Sequence, residues 1–278
     1  MGKERAIARA EQFRALHDRR RPLLLPNAWD AGSACVFADL GFAAIATTSG
    51  GVAWSLGYAD GEQAPLDEVV AATRRIVRAT TLPVSADFEA GFGDTPEAVA
   101  TNVRAIIDAG VAGINLEDGV RHVALREVDD AARRIAAARQ AAHAAGVPIV
   151  INARVDVWIC RTAMNDADRV DEAVRRARAY LAAGADCIYP IGLTDRGQIA
   201  ALVAAIDAPI NVGAWPGQPD VAELGRLGVA RVSTATRLVA VAYAAARDAA
   251  RALRETGRYD ALDASFGYPD MQRLFAQS

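Results

Sequence analysis

Cysteine, aromatic residues, net charge and long apolar runs are all scarce in this sequence, and each shortage removes a class of protein. The 278 residues include three cysteines, Cys35, Cys160 and Cys187. They form no close-spaced pair, and an odd number fits reduced thiols rather than a disulfide framework. Aromatics make up 6% of a chain that is 52% hydrophobic, so the core of one large domain has to be built from alanine and branched aliphatic side chains. Lys and Arg number 31 against 34 Asp and Glu, with both signs mixed along the chain. That balance leaves no electrostatic footprint for nucleic acid or an anionic membrane. No apolar run approaches the roughly 18 residues of a membrane span. The opening Met1-Gly2-Lys3-Glu4-Arg5 leads into a charged helical stretch without an apolar signal core, so the expected compartment is the cytoplasm.

What is present is an alternation. Short apolar runs of strand character fall near Leu23 to Pro26, Ala43 to Ser49, Pro83 to Glu89, Gly113 to Glu117, Ile149 to Asp156, Asp186 to Pro190, Pro209 to Val212 and Arg231 to Thr234. Amphipathic helical stretches lie between them: Leu66 to Arg78, Pro96 to Asp108, Val128 to Ala145, Arg169 to Ala183, Asp195 to Ile206 and Asp220 to Leu227. Gly110, Gly146 and Gly184 sit where helix C-caps need a left-handed residue, and Thr95-Pro96 is a cap followed by proline at the first helical position. Eight strand–helix repeats predict an α/β fold, a (β/α)₈ TIM barrel spanning about residues 21–256. An open doubly wound sheet is the rival. An extra basic helix is expected over Lys3 to Arg20. A long helix over Arg237 to Thr256, with a tail at 257–278, forms a C-terminal helical extension suited to packing on another subunit or on the bottom of its own barrel.

Residues two apart on a strand share a face. Ser85, Asp87 and Glu89 therefore point one way on the third strand, Asn115 and Glu117 on the fourth, and Asn152, Arg154 and Asp156 on the fifth. Val84, Ala86, Phe88, Ile114, Leu116, Ile151 and Val155 occupy the opposite faces, towards the helices. A structural barrel interior is layered with Val, Ile and Leu; acids, amides and an arginine there need compensation. A hard divalent cation bound through oxygen supplies it, and a salt-bridge network around Arg154 is the alternative. Ser49-Gly50-Gly51 follows the second strand, where paired glycines let a backbone approach a ligand and present N–H groups to an anion. Gly91-Phe92-Gly93 reads as a flexible loop, and His17 and His143 as surface residues of helices.

Thr48-Ser49-Gly50-Gly51, Leu56-Gly57-Tyr58-Ala59-Asp60, Asp87-Phe88-Glu89-Ala90-Gly91-Phe92-Gly93, Leu116-Glu117-Asp118 and Ala153-Arg154-Val155-Asp156 together resemble the isocitrate lyase/phosphoenolpyruvate mutase superfamily, in order along most of the chain. The resemblance implies Mg²⁺, or Mn²⁺ in its place, at Asp87, Glu89 and Glu117. It implies a substrate-binding set of Ser49, Gly50, Gly51, Asp87, Arg154 and Asn211, and catalytic roles for Arg154 and Asp60. It also implies cleavage of a C–C bond in a small 2-oxo or 2-hydroxy carboxylic acid through a metal-stabilised enolate, in a homo-oligomer, a dimer or tetramer with an exchanged C-terminal helix.

The departures narrow this. Isocitrate and 2-methylisocitrate lyases carry a K-[KR]-C-G-H loop whose cysteine donates a proton. Here Glu117-Asp118 is followed by Gly119-Val120-Arg121-His122-Val123-Ala124-Leu125, with no cysteine. His122 is the one candidate substitute in that stretch. The longer loop with an asparagine typical of phosphoenolpyruvate mutases is missing too, and Ile191 stands where relatives have a polar substrate contact. C–P bond chemistry on a phosphonopyruvate-like substrate and non-catalytic binding of a 2-oxo acid are the alternatives to a C–C lyase.

Overall fold

The structure is a computed structural model that describes residues 2–121, 123–160 and 164–276. Eight parallel strands close a barrel. They are β1 (Leu23–Leu25, continued by Asn27–Ala28), β2 (Ile45–Thr47), β3 (Val84–Asp87), β4 (Gly113–Glu117), β5 (Val150–Val155), β6 (Cys187–Pro190), β7 (Asn211–Gly213) and β8 (Arg231–Ser233). Pro26 has no N–H to give, so β1 is interrupted there. Its first half pairs with β8, Leu23 opposite Arg231, and its second half with β2, Asn27 opposite Ala46. The remaining seam, β6 to β7, is held by a single bridge between Ile188 and Ile210. The ring therefore closes, which an open doubly wound sheet does not.

The helices are α1 (Lys3–Ala15), α2 (Ala31–Asp39), α3 (Ser49–Leu56), α4 (Leu66–Arg78), α5 (Pro96–Asp108), α6 (Val128–Ala145), α7 (Asp166–Ala182), α8 (Arg196–Ala205), α9 (Val221–Arg226), α10 (Arg237–Thr256) and α11 (Tyr268–Ala276). Caps explain most small departures from the expected boundaries. Asn165 accepts from the Asp168 N–H and starts α7 earlier than periodicity suggests, while Asp195 and Asp220 are caps rather than helical residues. Gly110, Gly146 and Gly184 all have positive φ just beyond their helices. Ser49-Gly50-Gly51 forms the first turn of α3. A two-stranded hairpin, Gly119–Val120 with Ala124–Leu125, fills the short connection after β4.

Two apolar clusters hold the barrel. Val84, Ala86, Phe88, Ile114, Leu116, Ile151 and Val155 join the outer helices in the large one. A small one, Phe13, Leu23, Leu25, Ala44, Ala46, Ala112 and Val150, fills the bottom of the barrel interior. Phe13 comes from α1, which ends at Ala15 and closes the bottom. Gly113 makes room for it: a Cβ there would lie 2.8 Å from the Phe13 ring. Burying that ring contributes roughly 1.5–3 kcal/mol. His17 is not a surface side chain; it packs edge-on against Phe13, and burial near Arg231 lowers its pKa to about 4.

Gly91-Phe92-Gly93 is also not a flexible loop. Asn102 donates to the carbonyls of Gly91 and Phe92, and Arg134 donates to those of Gly93 and Asp94. A Cβ at Gly93 would meet the Val99 backbone at 2.9 Å. Among the described residues no helix is long and apolar enough to cross a membrane.

Candidate active site

The carboxyl ends of β2 to β5 assemble a polar rim. Asp87 ends β3. Its Oδ2 accepts from the Ser49 N–H at the start of α3 (3.1 Å), and its Oδ1 lies 3.4 Å from the Asn115 amide nitrogen. Asn115 cannot flip. Its oxygen accepts from Asn152 at 2.8 Å and from Arg231 at 3.4 Å, which leaves its NH₂ for Asp87. The helix N-terminus at Ser49-Gly50-Gly51 thus already faces an anion, the protein's own Asp87 carboxylate. Both glycines are close-packed: a Cβ at Gly50 would lie 3.2 Å from Asp60 Oδ2, and one at Gly51 would lie 2.6 Å from Thr48 Cγ2.

Glu89 follows β3 in the left-handed region, φ 47°, a conformation unusual for a non-glycine residue. Its Oε2 accepts from the Glu62 N–H at 2.6 Å, and the Glu62 carboxylate in turn accepts from the Phe92 N–H at 2.7 Å. Burial, then the neighbouring charges of Asp60 and Asp87, raise the Glu89 pKa to about 8. Glu117, at the end of β4, is pushed up by burial although Arg154 pulls it the other way. Arg154 grips Asp156 through two N–H donors, at 2.7 and 2.8 Å, and pairs with Glu117 Oε2 at 2.7 Å. A salt-bridge network around Arg154 therefore exists. Glu89 is not one of its members, and the charges of Asp60 and Asp87 still bear on it.

Two openings flank this rim. One, of about 260 Å³, has Thr48, Ser49, Asp60, Asp87 and Arg154 on its walls together with Ile159, Ile191, Trp215, Ala235 and Thr236. The other, about 400 Å³, has Glu62, Glu89 and Glu117 on its walls with Arg121 and Arg126. The Arg154–Glu117 ion pair contributes one partner to each. Asn211 is not on the wall of the first; it lies buried in the interior, its oxygen accepting from the Ser233 hydroxyl at 3.0 Å. His122 falls outside the described residues.

Asp87, Glu89 and Glu117 come to the same mouth without forming a three-carboxylate cage: among the described residues no three His, Cys, Asp or Glu side chains surround a common point at ligating range. The donor set nonetheless suits Mg²⁺. It is all oxygen and mutually repelling, and Mg²⁺ is commonly held by one or two carboxylates with water and substrate completing an octahedron.

The family profile of phosphoenolpyruvate phosphomutase matches residues 13–254. The chain belongs to that family. A lyase/mutase-type crystal structure from Burkholderia cenocepacia J2315 superposes with a TM-score of 0.90 at 38% identity, covering 98% of each chain. The oxaloacetate decarboxylase of Bradyrhizobium sp. BTAi1 is 32% identical over 89% of this chain and 85% of its own. The 2-methylisocitrate lyase of Escherichia coli K12 is 31% identical over 71% of this chain and 67% of its own. This family member is accordingly an enzyme of a superfamily of C–C bond lyases and mutases.

Strand alternation placed Asp87, Glu117 and Arg154 on inward faces, but several contributors carry no such signal. Glu62 reaches Glu89 only because the chain turns back after α3. Asp118 binds the Arg176 guanidinium (3.0 Å), the Tyr180 hydroxyl (2.7 Å) and the Asp156 N–H (2.8 Å), anchoring the ends of β4 and β5 to α7. Gly119 packs against Asp156, which a side chain there would displace. Arg231 is fully buried, donates to Ser233 and Asn115, and makes no carboxylate ion pair among the described residues; its charge lies beneath Asp87.

Proposed function

We propose that this enzyme is a Mg²⁺-dependent lyase (Mn²⁺ substituting) that cleaves a C–C bond of a small 2-oxo or 2-hydroxy carboxylic acid. One observation carries the reading: Asp60, Asp87 and Arg154 share a small pocket at the carboxyl ends of barrel strands, beside the raised-pKa acids Glu89 and Glu117. Asp87, Glu89 and Glu117 would hold the cation, directly or through water. Bound there, it would supply Lewis-acid polarisation of the 2-oxo carboxylate. Arg154 sets a guanidinium, fixed by Asp156, against the developing enolate charge in a water-poor site. Ser49, Gly50 and Gly51 orient the substrate carboxylate at the start of α3; Asp60 takes the proton from the hydroxyl on the carbon that leaves as a carbonyl compound, the electron pair of the broken C–C bond passes into the enolate, and the enolate is then protonated from water.

Helix α10 supports a homo-oligomer with an exchanged C-terminal helix: of its twenty residues only Val239 is buried, while Val241 and Tyr243 are exposed. Light scattering reads the state directly. The activity test is a panel of 2-oxo acids and hydroxy di- and tricarboxylates incubated with Mg²⁺, with carbonyl products and inorganic phosphate or phosphonate measured. Cleavage products without phosphorus release support the lyase. Phosphorus release from a phosphonopyruvate-type substrate would replace it with C–P chemistry, and tight binding without products would make the protein a binder.

A further inference from the structure

The pocket around Asp87 has two unlike halves. In a ring of eight strands, the ends of β2 and β3 stand opposite those of β6 and β7. Ser49, Asp60 and Asp87 come from the first side. Ile191 follows β6, Trp215 follows β7, and Ile159, after β5, adjoins them. Three successive strand-to-helix connections thus each deliver a large apolar side chain to one wall. Trp215 is held there firmly. The Arg237 guanidinium stacks on its ring at 4.1 Å, and only glycine fits at position 213, where a Cβ would lie 2.5 Å from the indole nitrogen. Arg237 faces the outer groove beside α10 and not this pocket.

Arg154 is the one cation among the described residues on the pocket wall, and each of its three nitrogens already bonds Asp156 or Glu117, so what donors remain on the terminal nitrogens serve the 2-oxo-acid end alone. A second carboxylate on the substrate would therefore be pressed against isoleucine and indole, where an unpaired charge is costly to bury. The neighbouring opening offers no refuge for it. Arg121 and Arg126 there face Glu62, Glu89, Asp94 and Glu117, so acids outnumber bases, and Arg126 is already 3.8 Å from Asp130.

From this division we infer that the substrate has a single carboxylate, next to its 2-oxo group, and carries an alkyl or aryl group at its far end. The polar end lies against Ser49, Asp87 and Arg154, and the apolar end against Ile159, Ile191 and Trp215. The inference rests on the 2-oxo-acid reading of the site and specifies what that reading leaves open.

The test is a ligand series titrated calorimetrically into the full-length, Mg²⁺-saturated protein: oxalate, 2-oxobutanoate, 2-oxohexanoate and 2-oxoglutarate. Each buried methylene is worth about fourfold in affinity, so 2-oxohexanoate is expected to bind about 15-fold more tightly than 2-oxobutanoate, and 2-oxoglutarate more weakly than either. Ile191→Arg is expected to collapse or invert the 2-oxohexanoate to 2-oxoglutarate ratio; the wild-type series stands alone if that variant does not fold. If oxalate binds and 2-oxoglutarate matches or exceeds 2-oxohexanoate, the apolar end is wrong and the 2-oxo-acid site survives. If oxalate fails to bind with Mg²⁺ present, the site reading falls and takes this inference with it.

Discussion

Glu89 links pH, metal and stability in a way that can be measured without knowing the substrate. In the metal-free protein, burial and the charges of Asp60 and Asp87 raise its pKa from 4.5 to about 8. Below about pH 4.5 the group is protonated in both folded and unfolded chains, and its favourable contribution is fully present. Between there and about pH 8 the unfolded chain has released this proton and the folded chain still holds it, so stability falls as pH rises. At about 1.4 kcal/mol per pH unit the interval amounts to roughly 5 kcal/mol. For a domain of this size that corresponds to a drop in Tm of roughly 10 °C. Glu117, raised by burial, acts in the same direction. A cation prefers the ionised carboxylates, so saturating Mg²⁺ is expected to flatten the profile. Calorimetric melting from pH 5 to 8.5, with EDTA or with Mg²⁺, reads both effects, and Glu89→Gln should make the slope seen in EDTA shallower by this group's share, leaving that of Glu117. A Glu89→Gln profile as steep as that of the wild type would refute the burial argument. A wild-type profile indifferent to Mg²⁺ would refute the metal assignment.

Arg154→Lys keeps the charge but loses the planar fork that grips Asp156, and should weaken Mg²⁺-dependent oxalate binding by about 10–100-fold; unchanged affinity by calorimetry would make Arg154 purely structural. Gly51→Ala forces a methyl against Thr48 and Trp29 and should cost about 1–3 kcal/mol of stability in urea unfolding. Asp118→Asn leaves the buried Arg176 guanidinium without its main counter-charge and should destabilise by about 3–5 kcal/mol, a loss visible in the same assay. With no cysteine between Glu117 and Val128, turnover of 2-methylisocitrate should run about 10²–10⁴-fold below a cysteine-bearing lyase; equal rates in a coupled assay would show that the missing loop is dispensable.

Periodicity by itself determined the eight strands, most of the helices and the inward faces bearing Asp87, Glu117 and Arg154, because alternation along a strand is a local property set by backbone geometry. Glycine and cap residues were equally legible, since a left-handed turn or an orphaned helix N–H is satisfied within a few residues. Ser49 to Gly51 escaped that reading: two glycines discourage a helix locally, yet the close approach of Thr48, Trp29 and Asp60 requires them there. Closing the ring decided everything that depends on residues far apart in the chain. It set Ile159, Ile191 and Trp215 opposite Ser49 and Asp87, brought Arg231 under Asn115, and turned Glu62 towards Glu89. It also kept Asn211 away from the pocket wall, because its side chain satisfies Ser233 inside the barrel. Such contacts answer to the curvature and register of the whole sheet, which no single strand encodes.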